Sequence, residues 1–188
     1  MILLYEKLDI DLSFLIKDIR FDTKTLELEH FEEYLTNVNI DDINSVLYDR
    51  FKIKIFPKST NLTKISSPGV GIHTDAFNAT INIYVNAKNS VTTFYKEVEA
   101  NSSTVLTKQD SSNNSFNIKS FDKDKLEEIT SLKTKAGECY LFNTSVPHSV
   151  YISPEDDDRL IFRIIWDSKY TFEEVYKDFQ NSSNKQFL

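Results

Sequence analysis

Pro68-Gly69-Val70-Gly71-Ile72-His73-Thr74-Asp75 leads, after four intervening residues, into Thr80-Ile81-Asn82-Ile83-Tyr84-Val85. The first stretch reads as a glycine-containing turn opening an extended run, the second as a strand rich in β-branched residues. In extended backbone, residues two apart face the same side, so His73 and Asp75 project together. A second such region lies downstream, where Val146-Pro147-His148-Ser149-Val150 precedes Arg159-Leu160-Ile161-Phe162-Arg163-Ile164-Ile165-Trp166. The chain has three glycines: Gly69 and Gly71 precede His73, and Gly137 precedes the strand that leads toward His148.

Working outward, strand patterns recur at 61–66, 80–85, 91–96, 103–107, 139–142, 148–152 and 159–166, together with a period-two alternation over 51–56 and a short apolar run at 2–8. The last two long strands are expected to form an antiparallel pair across the acidic turn 153–158. Helical spacing is expected over 14–19 (starting at Asp11), over 26–35 (Leu28, Phe31, Glu32, Leu35), and from Asp41 or Asp42 with Ile43, Val46 and Leu47 on one face. Residues 109–117 read as a polar loop and 121–129 as containing a short helix. A final helix begins at Thr171, where Thr171 and Glu174 match a capping box, and residues 180–188 are expected to fray.

Many short strands without βαβ alternation imply a mostly β fold with flanking α-helices, best matched by a double-sheet jelly roll. One domain over 1–188 is expected: a helical N-terminal layer at 1–50, a jelly-roll core at 51–168, and a C-terminal helix and tail at 169–188. The 188 residues carry a formal net charge of −7, which disfavours non-specific contact with nucleic acid or an anionic membrane. No stretch approaches the roughly 20 apolar residues of a membrane span, and no secretory leader is evident. The single cysteine, Cys139, excludes an internal disulfide and reads as a buried thiol. These features suit a cytoplasmic protein of unspecified oligomeric state.

His73, Asp75 and His148 together make a donor set of two neutral imidazoles and one carboxylate. Such a set leaves positions free on an octahedral ion, as in non-haem Fe(II) oxygenases. Catalytic zinc accepts the same donors, so the set by itself names no metal. Alternation puts Arg159, Ile161, Arg163 and Ile165 on one strand face and Leu160, Phe162, Ile164 and Trp166 on the other. An inward arginine is costly unless an anion meets it, and a dicarboxylate spanning metal and guanidinium would do so. His30 falls in the helical pattern at 26–35 and reads as structural.

On these residues the sequence resembles the Fe(II)/2-oxoglutarate-dependent dioxygenases, whose pattern is His-x-Asp, a distal His, and an Arg or Lys about one strand later. It is most similar to small bacterial and phage-encoded members related to prolyl and aspartyl/asparaginyl hydroxylases. The matching segments are 68–85, 93–95 and 137–163, spread over about half of the chain. The resemblance implies a double-stranded β-helix, with His73, Asp75 and His148 as iron ligands and Arg159 as the 2-oxoglutarate anchor, Arg163 being the second candidate. It gives Tyr84 and Tyr95 two possible roles, hydrogen bonding to the co-substrate or plain packing. Fe(II), 2-oxoglutarate and O2 would be required, the substrate would be a small molecule or a peptide or protein side chain, and retention of Asp75 points to hydroxylation or plain oxidation. A non-catalytic ligand-binding or phage structural module on the same fold, and a cupin-like enzyme that uses its metal without 2-oxoglutarate, are the other functions this sequence admits.

Overall fold

The computed structural model describes residues 3–9, 12–17, 19–87, 89–99, 103–109, 115–156 and 158–183. Asp11, Asp157, most of the polar loop at 109–117 and the tail at 184–188 lie outside the described residues. In chain order the strands are β1 (Tyr5–Lys7), β2 (Lys24–Leu28), β3 (Phe31–Tyr34), β4 (Ser59–Ile65), β5 (Gly69–Thr74), β6 (Ala79–Asn86), β7 (Val91–Glu97), β8 (Ser103–Gln109), β9 (Ser115–Phe121), β10 (Leu126–Lys133), β11 (Cys139–Asn143), β12 (His148–Tyr151) and β13 (Arg159–Ile165). Two helices accompany them: α1 (Ile40–Phe51) between β3 and β4, and α2 (Phe172–Ser183) after β13.

The strands form two antiparallel sheets, ordered β1-β11-β6-β13-β4-β3-β2 and β10-β7-β12-β5-β9-β8. From β4 to β7 and again from β10 to β13, successive strands fall in opposite sheets. That alternation around two facing sheets is the jelly roll, or double-stranded β-helix, expected from the sequence. β8 and β9 are an added hairpin on one sheet, and β2 and β3 an added hairpin on the other.

Alternation along β6 and β13 sorts their side chains into two apolar layers. Ile81, Ile83, Phe162, Ile164 and Trp166 pack outward under α1 and α2, against Ile43, Leu47, Phe172 and Val175. Tyr84 and Ile161 face inward and meet Phe94, Phe142 and Val150 between the sheets. Both helices form for local reasons. Asn39 caps α1 by accepting from the Asp41 N–H at 3.0 Å, and Lys52 closes it in a left-handed conformation with φ 52°. At α2, the Thr171 Oγ1 accepts from the Glu174 N–H while the Glu174 carboxylate accepts from the Thr171 N–H, the reciprocal capping box.

Several expectations change. Residues 26–35 are not a helix but the β2–β3 hairpin, with His30 in its turn. A helix would set Glu29 beside Glu32 and Glu33 at repelling spacing. The hairpin instead puts Lys24 at 2.6 Å from Glu32 and 3.3 Å from Glu27, and pairs β3 with β4. The helix expected over 14–19 is a single 3-10 turn, Ser13–Leu15, among the described residues. The alternation at 51–56 is not a strand: α1 runs through Phe51, and the chain beyond is pinned where the Asp178 carboxylate accepts from the Lys54 and Ile55 N–H groups. The helix expected at 121–129 shrinks to a 3-10 turn, Lys123–Lys125, before β10. Residues 115–117 of the supposed polar loop belong to β9. β12 and β13 do not pair. β12 lies between β5 and β7, and β13 between β4 and β6, because the connection crosses from one sheet to the other past the buried Ile152. Among the described residues no helix is long and apolar enough to cross a membrane.

Candidate metal centre

The start of β5 is built around a close backbone approach. Gly69 has φ +110°, and a Cβ there would lie 2.0 Å from the Val150 carbonyl oxygen on β12. Only glycine lets β5 and β12 come together in this way. The approach sets the register in which His73 stands opposite His148, and His148 in turn stands opposite Phe94 on β7. Beyond Thr74 the chain leaves the sheet, and the Asp75 N–H donates to the Thr144 carbonyl at 3.0 Å, which ties Asp75 to the connection before β12.

One potential ligand atom from each of His73, Asp75 and His148 lies within 4.8 Å of the others. The imidazole centroids are 4.5 Å apart, and His73 Nε2 is 3.5 Å from Asp75 Oδ1. Each Nδ1 faces a backbone carbonyl, Gly71 at 2.8 Å for His73 and Val146 at 2.9 Å for His148. An Nδ1–H donated to that carbonyl fixes the tautomer and leaves each Nε2 lone pair for a metal. Burial, followed by repulsion from His73, lowers the His148 pKa to about 4, so the ring is neutral at physiological pH. Burial would raise the Asp75 carboxyl, but the Arg163 guanidinium and then the His73 hydrogen bond outweigh it and hold Asp75 well below the usual carboxylate range. Two neutral imidazoles and an ionised carboxylate converging on one point suit a divalent metal ion.

A narrow pocket runs inward from this cluster, with Thr92, Val150, Arg159 and Ile161 among its walls. Arg159 is 2% exposed. Its Nη1 donates to Thr92 Oγ1 at 2.9 Å, its Nη2 donates to the Tyr84 hydroxyl at 2.7 Å, and its Cζ lies 4.7 Å from the Tyr84 ring centroid. Its Nε has no partner, and among the described residues no carboxylate forms an ion pair with it. Arg163, on the same strand face, turns instead to the metal cluster, with Nη2 donating to Asp75 Oδ2 at 2.5 Å and Nη1 to Glu33 Oε1 at 3.5 Å.

The structure therefore brings His73, Asp75, His148, Arg159 and Arg163 to one pocket, and Tyr84 reaches it only through its hydrogen bond with Arg159. Tyr95 is not among them: its hydroxyl pairs with Ser149 Oγ at 3.1 Å, so it packs away from Phe94 and Thr92. Thr92, Phe31 and Glu33 belong to the site and were not singled out from sequence. Alternation with Phe94 was a usable signal for Thr92. Phe31 and Glu33 gave none, since the helical pattern assigned to their segment hid the hairpin.

No family model matches the sequence, and no curated protein matches it. Among solved structures, one concerning the Mn(II) centres of Bacillus subtilis oxalate decarboxylase is similar at 12% identity and TM-score 0.39, over 79% of this chain and 29% of that one. A structure addressing the substrate binding mode and reaction-specificity switch of oxalate decarboxylase is similar at 12% identity and TM-score 0.40, with the same coverage. The chain spans less than a third of the length of these enzymes.

Proposed function

We propose that this chain is an Fe(II)- and 2-oxoglutarate-dependent oxygenase that hydroxylates an amino-acid, peptide or protein side chain. The observation that carries this reading is Arg159. A guanidinium 2% exposed, held among the described residues by two neutral hydroxyls, with an unpartnered Nε–H and no carboxylate, is a buried cation without its anion there. Such a charge is costly to bury alone and becomes favourable when a carboxylate meets it. The pocket joins it directly to the His73–Asp75–His148 cluster, so a dicarboxylate could engage both ends at once.

Each residue then has a task. His73 and His148 present Nε2 to the metal, and Asp75 adds one negative charge. Arg159 grips the distal carboxylate of 2-oxoglutarate, while Thr92 and Tyr84 hold the guanidinium in place. Phe94, Phe142 and Val150 keep water from the inner end. Iron bound by the three ligands would couple oxidative decarboxylation of 2-oxoglutarate by O2 to oxidation of a substrate C–H bond.

The test is aerobic succinate formation from 2-oxoglutarate with added Fe(II). The wild-type chain is expected to form succinate slowly even without its substrate. Asp75→Ala, which removes a ligand, is expected to lower that rate by more than about 100-fold. Undiminished succinate formation by Asp75→Ala refutes the reading.

A further inference from the structure

No step of the proposed reaction employs Arg163, the second buried arginine of β13. Its guanidinium donates to Asp75 Oδ2 at 2.5 Å and to Glu33 Oε1 at 3.5 Å, and its Cζ lies 4.8 Å from the centroid of the Phe77 ring. We infer that Glu33 and Arg163 are positioning residues that fix how Asp75 is presented to the metal: Arg163 holds Oδ2, leaving Oδ1 as the single ligand atom, and Glu33 holds Arg163. This rests on the metal-site half of the reading above, and not on the identity of the co-substrate.

Three observations carry it. The two oxygens of Asp75 are already distinguished, since Oδ1 is the one 3.5 Å from His73 Nε2 and Oδ2 is the one engaged by Arg163. A free carboxylate on a divalent ion can close through both oxygens, and that would consume a position the proposed reaction requires. A guanidinium on Oδ2 blocks the second contact.

Next, a guanidinium so near a cation site repels the incoming metal unless its charge is offset. Asp75 cannot offset both, and Glu33 supplies the second carboxylate: burial pushes its carboxyl up, and the Arg163 guanidinium works against that and favours the charged form. With side-chain exposures of 7% for Arg163, 20% for Glu33 and 14% for Asp75, solvent screening of these charges is limited.

Finally, the architecture commits Glu33 to this location. Glu33 stands opposite Thr63 on β4, and Asn61 of β4 stands opposite Arg163 on β13, so the β2–β3 hairpin reaches across one strand to the metal cluster. Phe77 lies against the guanidinium, with Arg163 Cζ 4.8 Å from its ring centroid. Glu33 touches no ligand atom, so its influence passes through Arg163.

The experiment titrates the metal-free full chain with Mn(II) alone and reads the free ion by its EPR signal, with no co-substrate or turnover involved. Glu33→Gln keeps the size and an acceptor oxygen but removes the charge, and is expected to weaken Mn(II) binding about tenfold. Arg163→Met is expected to weaken it more, toward 100-fold, the range typical for loss of a group that orients a metal ligand. Arg163→Lys should fall between, and Glu33→Asp should restore part of the loss seen in Glu33→Gln. Glu33→Gln placed in the Arg163→Met background should cost clearly less than it does alone, because Glu33 acts mainly through Arg163. The thermal midpoint of each metal-free variant separates weakened binding from misfolding, and Glu33→Gln is the variant expected to fold as wild type. Mn(II) affinity in Arg163→Met equal to or tighter than wild type overturns the inference, since the guanidinium would then be competing with the metal for Asp75. So does a Glu33→Gln effect that persists undiminished without Arg163. A wild-type chain that fails to bind Mn(II) removes the metal site itself and the inference with it, whereas wild-type binding with unchanged variants removes the inference alone.

Discussion

Replacing Arg159 by methionine separates the cost of burying a charge from the gain of pairing it. In the ligand-free protein the guanidinium makes two hydrogen bonds, to Thr92 and Tyr84, each worth about 1.5–3 kcal/mol for a charged donor. Against them stands the desolvation of an ion that is 2% exposed, several kcal/mol in a protein interior. The two contributions are similar in size and opposite in sign, so the metal-free Arg159→Met variant should unfold within a few degrees of wild type. With 2-oxoglutarate present the balance changes. Losing one partner of a buried, hydrogen-bonded charge pair costs about 2–5 kcal/mol of binding, which at about 1.4 kcal/mol per decade is roughly 30- to 4000-fold in affinity.

The assay is thermal unfolding under anaerobic Mn(II), which permits binding without turnover. At 100 times the dissociation constant the ligand stabilises the wild type by about 2.7 kcal/mol, or roughly 5–10 °C for a chain of this length. At the same concentration, Arg159→Met should rise by less than about 3 °C. Its Mn(II) affinity without 2-oxoglutarate should be no weaker than that of wild type, because Arg159 touches no ligand atom and its loss removes a positive charge from the pocket. A variant that shows the full wild-type shift refutes the anchor role of Arg159.

Further outcomes follow from single residues. His148 has its folded pKa depressed to about 4 against an ordinary value of 6.5, so the unfolded chain takes up the proton first as pH falls. The metal-free protein should keep this contribution above pH 6.5 and lose on the order of 3 kcal/mol between pH 6.5 and 4, and a urea midpoint for His148→Gln that falls as steeply as wild type over that window contradicts it. Burial pushes the Cys139 thiol far above its ordinary range, so a thiol reagent at pH 8 should label the protein only after denaturation, and rapid labelling of the folded chain would place Cys139 at the surface. Gly69→Ala must fit a Cβ 2.0 Å from the Val150 carbonyl at φ +110°, and should lose at least about 2 kcal/mol in denaturant midpoint together with Mn(II) affinity. A silent Gly69→Ala would mean that the β5–β12 approach does not set the His73–His148 register.

The inner half of the jelly roll was legible because its strands are long and sharply patterned. In β13, Arg159, Ile161 and Arg163 line the pocket while Phe162 and Ile164 pack toward the helices, as the alternation required. The ligand triad was legible because the i, i+2 spacing of His73 and Asp75 has a direct geometric meaning in extended chain. Pairing was less legible. Nothing local in the 148–166 segment distinguishes two strands joined by a hairpin turn from two strands joined by a crossing between sheets, because that choice is made by β4, β5, β6 and β7, which take up their edges. The different surroundings of Arg159 and Arg163 were not legible for a related reason. Two arginines on one strand face are equivalent in a pattern, and what separates them is the charge each meets in three dimensions: none for Arg159, Asp75 and Glu33 for Arg163.

The N-terminal segment shows most clearly where local pattern gives out. Leu28, Phe31, Glu32 and Leu35 fit a helix by spacing, yet the energetics of the folded molecule favour strands. Phe31 gains a place at the pocket wall, Glu32 gains Lys24 and Lys64, and Glu33 gains Arg163. None of these partners except Lys24 is nearby in sequence, so no window of the segment contains the information that decides its structure. The same partners make the hairpin more than a sheet extension. Its alternation turns Phe31 and Glu33 to the inner face of the roll while Glu32 stays on the outer face with the lysines. A segment that carries no ligand thus supplies both an apolar wall and a counter-charge to a pocket that otherwise holds two buried guanidinium groups and one carboxylate. Without Glu33 the pocket would carry a net positive charge before any metal arrived, and it would repel the ion that its three ligands are arranged to bind.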